Sequence, residues 1–177
     1  LQAGLIEGIN DIKSPLRLSF MPYASIYADS YDGETTFPYN YGMDLKYGIN
    51  ESFTLDMTLI PDFGQVSADA MVLNLSPFEV RYEEKRQCFN EGTELFNKGG
   101  EMFYSRRLED NLLNASKISG RTKNGIGIAA LNAITNRTED RPLTNYNVMI
   151  IDKALKNSSS VSLMNTNMTN NTSAKDA

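Results

Sequence analysis

Two stretches of alternating apolar and polar side chains, Tyr39–Ile49 and Phe53–Leu59 on either side of a turn at Asn50–Ser52, constrain the fold more than any other feature of the sequence. One parity is apolar: Tyr39, Tyr41, Met43, Leu45, Tyr47 and Ile49, then Phe53, Leu55, Met57 and Leu59. The other parity carries polar residues or glycine, among them Asp44, Lys46 and Asp56. Because successive side chains of a β-strand point to opposite faces, the pattern predicts a hairpin of two long strands. Asp44 and Lys46 should face away from the apolar set.

The same period-two signal recurs along most of the chain and predicts an all-β fold arranged as an antiparallel meander. The further predicted strands are Leu16–Tyr27, Met102–Arg107, Leu112–Arg121, Gly125–Thr135, Thr144–Lys153 and Ser159–Asn167. Five regions follow from this pattern: a linker from a missing upstream domain over residues 1–15, first strands over 16–60, a charged non-periodic insert over 61–100, further strands over 101–167 and a frayed tail over 168–177.

Strand length and polarity favour part of a transmembrane β-barrel, incomplete in this chain. The long strand segments run ten to twelve residues, and a tilted strand needs about 10 residues to cross a bilayer. Nine of the 17 aromatic residues lie between positions 20 and 53, and tyrosine suits the membrane interface. This interpretation implies outer-membrane lipid as a partner and the outer membrane of a Gram-negative bacterium as the location. A soluble β-sandwich binding module is the alternative.

Two shortages in the composition exclude several function classes. The chain has no histidine and one cysteine, Cys88, so a Ser-His-Asp triad, a Cys-His pair, the usual zinc sites and an internal disulfide are impossible within it. Its net charge of −5 argues against nucleic acid as a partner. No run of about 20 apolar residues occurs, which excludes a transmembrane helix. We expect no cofactor.

The insert holds the candidate site residues. From Glu79 to Arg107 there are six acidic and six basic residues, which predicts a structural ionic network: Glu79, Arg81, Lys85, Arg86, Arg106 and Arg107. Arg86 would pair with a carboxylate such as Glu79 or Glu91. A second hypothesis is glycoside hydrolysis, which needs two carboxylates about 5–9 Å apart: Asp62 or Asp69 with Glu84 or Glu91. A calcium site at Asp62 and Asp69 is a third hypothesis, although the spacing matches no EF-hand.

An ordered series of short motifs resembles a known family. The motifs are Gly42–Tyr47, Pro61–Asp69, Asn74–Glu79, Glu84–Arg86, Glu91–Phe96, Phe103–Arg107, Asn114–Arg121, Leu131–Thr135 and Leu143–Tyr146. They are similar to the uncharacterised barrel domain found C-terminal to a carbohydrate-binding family 9-like module in Gram-negative envelope proteins. The resemblance implies an envelope component that binds or handles polysaccharide or other surface molecules, or a membrane-associated hydrolase. Cys88, where the family has an aromatic residue, and a short connection from Arg107 to Asn111 depart from the pattern.

Overall fold

The computed structural model describes residues 15–63, 69–108, 111–139 and 141–171. The described residues form nine strands and three short helical segments. The strands are β1 (Leu18–Ile26), β2 (Asp29–Tyr31), β3 (Glu34–Thr36), β4 (Tyr39–Gly48), β5 (Phe53–Leu59), β6 (Leu112–Arg121), β7 (Ile126–Thr135), β8 (Leu143–Ala154) and β9 (Ser160–Asn171). The connection from β5 to β6, here called the insert, carries helix α1 (Gln87–Asn90) and two 3-10 helices, Phe96–Met102 and Ser105–Arg107.

Seven strands form one antiparallel sheet, in the order β1-β4-β5-β6-β7-β8-β9, and β2 pairs with β3 in a separate hairpin. The all-β prediction and the meander are therefore confirmed. Within the described residues, the edge strands β1 and β9 do not pair with each other, so these strands make an open sheet. No helix in the described part of the chain has the length and apolar character needed to cross a membrane.

The strand predicted over Met102–Arg107 is wrong. Residues Phe96–Met102 and Ser105–Arg107 are 3-10 helices instead, and Gly100 breaks the first of them with a φ of 56°. This segment has no neighbouring strand among the described residues with which it could pair. Its side chains contact other parts of the insert instead, as Tyr104 does at Tyr82 and Arg106 does at Asp69. The insert is thus longer than the predicted 61–100. The frayed tail is also partly wrong, since β9 continues to Asn171, opposite Leu143. The linker predicted over residues 1–15 and the end of the tail, 172–177, lie almost wholly outside the described residues.

The two faces of the sheet differ in polarity, as the alternation predicted. The face opposite the insert, the outer face, presents the apolar parity of β4, and Tyr39 and Tyr41 there are 75% and 61% exposed. The face beneath the insert, the inner face, presents Asp44 and Lys46. On β5 the polar parity is the buried one, because Asp56 and Thr58 are 8% and 2% exposed.

The hydrophobic core lies between the insert and the inner face of β6, β7 and β8. Phe89, Leu95, Phe96 and Leu108 of the insert pack against the strands. The strand residues in this core are small or aliphatic: Leu112, Ala115, Ala129, Leu131, Ala133, Val148 and Ile150. Since β4 and β5 offer charged residues on the same face, the insert meets one apolar half and one polar half of the sheet.

Candidate functional site

The chain turns from β5 into the insert at Ile60, which holds an unusual backbone conformation. Its φ is +48°, which β-branched residues rarely adopt. The backbone is held from both sides: Ile60 N–H donates to Leu113 O at 2.9 Å, and Tyr23 OH donates to Ile60 O at 2.9 Å. The Tyr23 hydroxyl also accepts the N–H of Asp62 at 3.2 Å. These bonds direct the insert back over the inner face.

Gly42 makes this arrangement possible. A Cβ at this position would clash with the Tyr23 hydroxyl and with the backbone carbonyls of Leu59 and Ile60. Tyr23 is the register partner of Gly42 on β1, so its ring crosses β4 where no side chain blocks it. Glycine is therefore needed here for close approach.

Arg86 and Glu84 form the most buried ion pair of the predicted network. Arg86 is 1% exposed, and its Nε and Nη2 donate to the two Glu84 carboxylate oxygens at 2.9 and 2.8 Å. Two further bonds reach Leu108 O at 2.9 Å and Ser105 O at 2.8 Å. The guanidinium lies 4.6 Å from the Phe89 ring centroid. Because bidentate pairs fix geometry as well as charge, Arg86 ties α1 to the second 3-10 helix.

Glu84 is held in its ionised form by these contacts. Burial alone would raise its pKa, but hydrogen bonds from Arg86, from Ser105 Oγ at 2.6 Å and from the backbone of Arg86 outweigh burial. The pKa falls to about 2. A carboxyl group with so low a pKa is a poor general acid at neutral pH.

The other predicted network residues form separate pairs. Asp69 contacts both Lys85, at 3.1 Å, and Arg106, and Glu79 pairs with Arg107 at 2.6 Å on the exposed side of the insert. Arg81 and Arg107 lie over the Tyr104 ring at 5.2 and 5.8 Å. The predicted pairing of Arg86 with Glu79 or Glu91 is wrong, because Arg86 takes Glu84, which lies two residues away.

Glu91 connects the insert to the inner face of the sheet. It accepts a hydrogen bond from Lys46 on β4 and another, at 3.1 Å, from Gln87 Nε2. The Lys46 ammonium and the Gln87 amide lower the pKa of Glu91. This carboxylate therefore also stays ionised and paired.

Two buried charges on the strands complete the contact with the insert, and sequence reasoning missed both. Lys117 of β6, 2% exposed, donates to Cys88 O at 2.7 Å and to Glu91 O, and lies 3.7 Å from Asp56. Asp152 of β8 is fully buried. The signal available in the sequence was a charge on the inner parity of each strand.

Asp152 gathers partners from three parts of the fold. It accepts from Ser162 Oγ of β9 at 2.6 Å, and pairs with Lys98 of the insert at 2.9 Å and Arg121 of β6 at 2.6 Å. The Ser162 hydroxyl and the Lys98 ammonium hold the pKa of Asp152 well below its usual range. A buried charge is tolerated when it is paired and hydrogen-bonded in this way.

A polar cavity of about 580 Å³ lies between the insert and the inner face of β1, β4 and β5. Its walls carry hydroxyl, carboxylate, amide and cationic groups: Tyr23, Ser25, Asp44, Thr58, Asp62, Lys85, Arg86 and Gln87. Phe63 and Cys88 supply apolar surface. Asp62 accepts hydrogen bonds from Ser25 Oγ and, at 2.6 Å, from Tyr27 OH. Of the predicted site residues, the structure brings Asp62, Lys85 and Arg86 to this cavity.

The four carboxylates considered for hydrolysis are engaged with other partners. Asp69, Glu84 and Glu91 each contact cations, and Asp62 is bound by two hydroxyls. Glycoside hydrolysis requires one carboxyl whose pKa is raised, whereas the pKa values of Glu84 and Glu91 are lowered. For the calcium hypothesis, Asp62 and Asp69 have different neighbours, and no three Asp, Glu or Cys side chains among the described residues gather as metal ligands.

A family model described as a domain of unknown function, DUF5916, matches residues 14–111 and 109–177. The match includes every strand and the whole insert. The chain belongs to the DUF5916 family. No curated protein and no solved structure matches the chain.

Proposed function

We propose that this chain forms part of a membrane-spanning β-barrel in the outer membrane, with the insert packed on the lumen side, and that the barrel handles polysaccharide or other hydrophilic envelope molecules. One observation carries the proposal: the first strands, β1, β4 and β5, present large apolar side chains on the uncovered face of the sheet, and β4 and β5 present polar and charged side chains on the face that the insert covers. Soluble sheets bury the apolar face, and barrels in a bilayer turn it outward.

The outer face of the first strands supports contact with lipid. Large apolar side chains stand there without cover from any described residue, and Phe20, Ile26, Tyr39 and Tyr41 are between 55% and 75% exposed. Leu163 on β9 is 69% exposed. Contiguous apolar surface of this kind marks a protein or membrane contact in native proteins.

The apolar region runs obliquely across the hydrogen-bond ladder, which suits tilted strands. A row of directly paired residues crosses the sheet and is apolar on β4 and β5 but asparagine on β7, β8 and β9: Leu45, Met57, Ser116, Asn132, Asn147 and Asn167. On β7, β8 and β9 the apolar residues of the same face form a different row, four residues away along each strand: Ile128, Ile151 and Leu163. Barrel strands tilt by about 35–45°, so a bilayer of constant thickness would meet neighbouring strands at shifted registers.

The inner face supports a hydrated lumen that holds a plug. Charged groups of β4, β6 and β8 contact the insert through Lys46, Lys117 and Asp152, and Asp56 of β5 lies 3.7 Å from Lys117. Polar interiors filled by a segment of the same chain occur in large outer-membrane barrels. The hydroxyl, carboxylate and amide groups of the cavity are the groups that hydrogen-bond hydrophilic molecules, which supports such molecules as the cargo.

Tryptophan reporters test the proposal, since the sequence contains no tryptophan. Tyr41→Trp places the reporter on the outer face, and Phe96→Trp is the matched control beneath the insert, where Phe96 is 3% exposed. The protein is reconstituted in vesicles with brominated acyl chains, which quench indoles that touch lipid. We expect strong quenching of Tyr41→Trp and little quenching of Phe96→Trp, each relative to the same variant in vesicles with unbrominated acyl chains. Quenching of Tyr41→Trp by aqueous acrylamide, with none by brominated lipid, would favour the soluble β-sandwich.

A further inference from the structure

Two polar side chains on the cavity wall lack a well-formed hydrogen bond in the described part of the chain. Thr58 is 2% exposed, and its hydroxyl lies beside that of Tyr23 but makes no hydrogen bond of normal geometry. Asp44 stands directly opposite Thr58 in the register of β4 and β5, on the same inner face. No ion pair or hydrogen bond of its carboxylate is found among the described residues. Directly opposed residues bring their Cβ atoms within about 5 Å, so one small group could contact both.

The charges around this pair leave the Asp44 wall negative. Lys85 and Arg86 line the cavity, but they form ion pairs with Asp69 and Glu84. Asp62, the other carboxylate of the cavity, contacts two hydroxyls. Burial and the Asp44 charge raise the pKa of Tyr23, and burial with Asp56 and Asp44 raises the pKa of Cys88. Both neighbours therefore stay neutral and leave the charge of Asp44 unbalanced.

We propose that the cavity binds a ligand through its primary ammonium group, with the Asp44 carboxylate and the Thr58 hydroxyl accepting two of the three N–H bonds. The third N–H points to the Ser25 hydroxyl, which donates its own proton to Asp62 and can still accept a hydrogen bond. A buried hydroxyl without a good partner is costly, and an ammonium would donate to Thr58 while it balances the charge of the partly buried Asp44. The cavity, about 580 Å³, holds more than an ammonium, so the group can come from an amino sugar or from a polyamine. The inference does not depend on the membrane proposal.

The test is calorimetric titration of the whole protein in a zwitterionic detergent. Glucosamine and spermidine represent the two sources, and N-acetylglucosamine is the matched neutral probe. Asp44→Asn should weaken binding of the ammonium probe about 10- to 100-fold, as expected for a lost charged hydrogen bond. Thr58→Val, which keeps shape and removes an unpaired hydroxyl, should weaken binding about 2- to 10-fold. Glu34→Gln, which removes a carboxylate from the exposed β2–β3 hairpin, is the control and should change nothing.

Each outcome decides the proposal. Binding of glucosamine alone supports the ammonium site with an amino sugar as the ligand, and binding of spermidine alone supports it with a polyamine. Equal binding of N-acetylglucosamine and glucosamine overturns it, as does the absence of binding by both amines. Equal affinities of Asp44→Asn and Glu34→Gln also overturn it. If Asp44→Asn does not fold, Thr58→Val still decides, because loss of its unpaired hydroxyl does not disturb folding.

Discussion

Replacing Arg86 with methionine should destabilise the domain more than any single change on the outside of the insert. The side chain of methionine keeps much of the apolar contact with Phe89 but removes the side-chain hydrogen bonds to Glu84, Leu108 O and Ser105 O. Glu84 then stays buried with its charge uncompensated. Breaking a buried pair from one side costs about 3–5 kcal/mol, which is a large share of the stability of a typical domain.

Arg107→Met is the matched control because it also breaks an arginine–carboxylate pair of the insert. The side chains of Arg107 and Glu79 are 54% and 45% exposed, and exposed pairs contribute about 0–1 kcal/mol. The double variant Glu84→Gln with Arg86→Met should be more stable than the sum of the single changes predicts, because neither charge is left alone. We expect a coupling free energy of about 1–3 kcal/mol.

The measurement is urea denaturation in detergent, monitored by circular dichroism. It compares the unsubstituted protein with Arg86→Met, Arg107→Met, Glu84→Gln and the double variant. A shift of the midpoint with an unchanged slope would report a loss of stability rather than a change in unfolding mechanism. If Arg86→Met and Arg107→Met lose the same free energy, Arg86 does not hold the insert in place, and the structural interpretation of the network is wrong.

Three further predictions concern groups around the same contacts. The pKa of Glu84 is about 2 in the folded protein and 4.5 in the unfolded chain. Its ionised form therefore contributes about 2–3 kcal/mol to the free energy of unfolding above pH 4.5, and this contribution is lost as pH falls towards 2. In Arg86→Met, acid titration of the free energy of unfolding should show much less of this pH dependence. Cys88, with a pKa of about 11, should react with iodoacetamide at pH 8 about 100-fold more slowly than in the urea-unfolded chain, and equal rates would contradict its burial. Gly42→Ala should displace the Tyr23 ring and lower the free energy of unfolding by about 1–3 kcal/mol, whereas Gly33→Ala, in the open β2–β3 turn where the strain is only that of a positive φ, should cost less.

The sequence predicted the strands because backbone geometry imposes its period of two on side-chain polarity. β6 covers Leu112–Arg121, as predicted, β7 begins one residue later than predicted, and β8 is one residue longer at each end. The failure at Met102–Arg107 has a physical cause. Alternation states which side chains share a face, but a strand also needs a neighbour for its backbone hydrogen bonds, and no pattern within one segment reveals whether a neighbour exists.

The candidate site was predictable in kind and not in detail. A balanced run of charges did predict ion pairs within the insert, and Arg86, Glu84, Asp69 and Arg106 form them. Partner choice depends on where the chain folds back. Asp152 and Lys117 escaped notice because each is a single charge within a strand, and only the fold shows that the insert meets them.

The polarity of the two faces of β4 and β5 follows from the side of the sheet on which the insert packs. If the sheet were half of a soluble sandwich, the parity with Leu45 and Met57 would be buried and the parity with Lys46 and Asp56 would meet water. On β5 the observed burial is the reverse, since Asp56 is 8% exposed while Met57 is half-buried, and on β4 Lys46 pairs with Glu91 of the insert. The insert packs on the inner face and leaves outer-face side chains such as Phe20, Tyr39 and Tyr41 exposed, so we expect a different partner to cover that part of the outer face. Lipid satisfies that requirement without any further contact from the described residues, which is why the membrane proposal follows from the faces of the sheet and does not depend on the cavity.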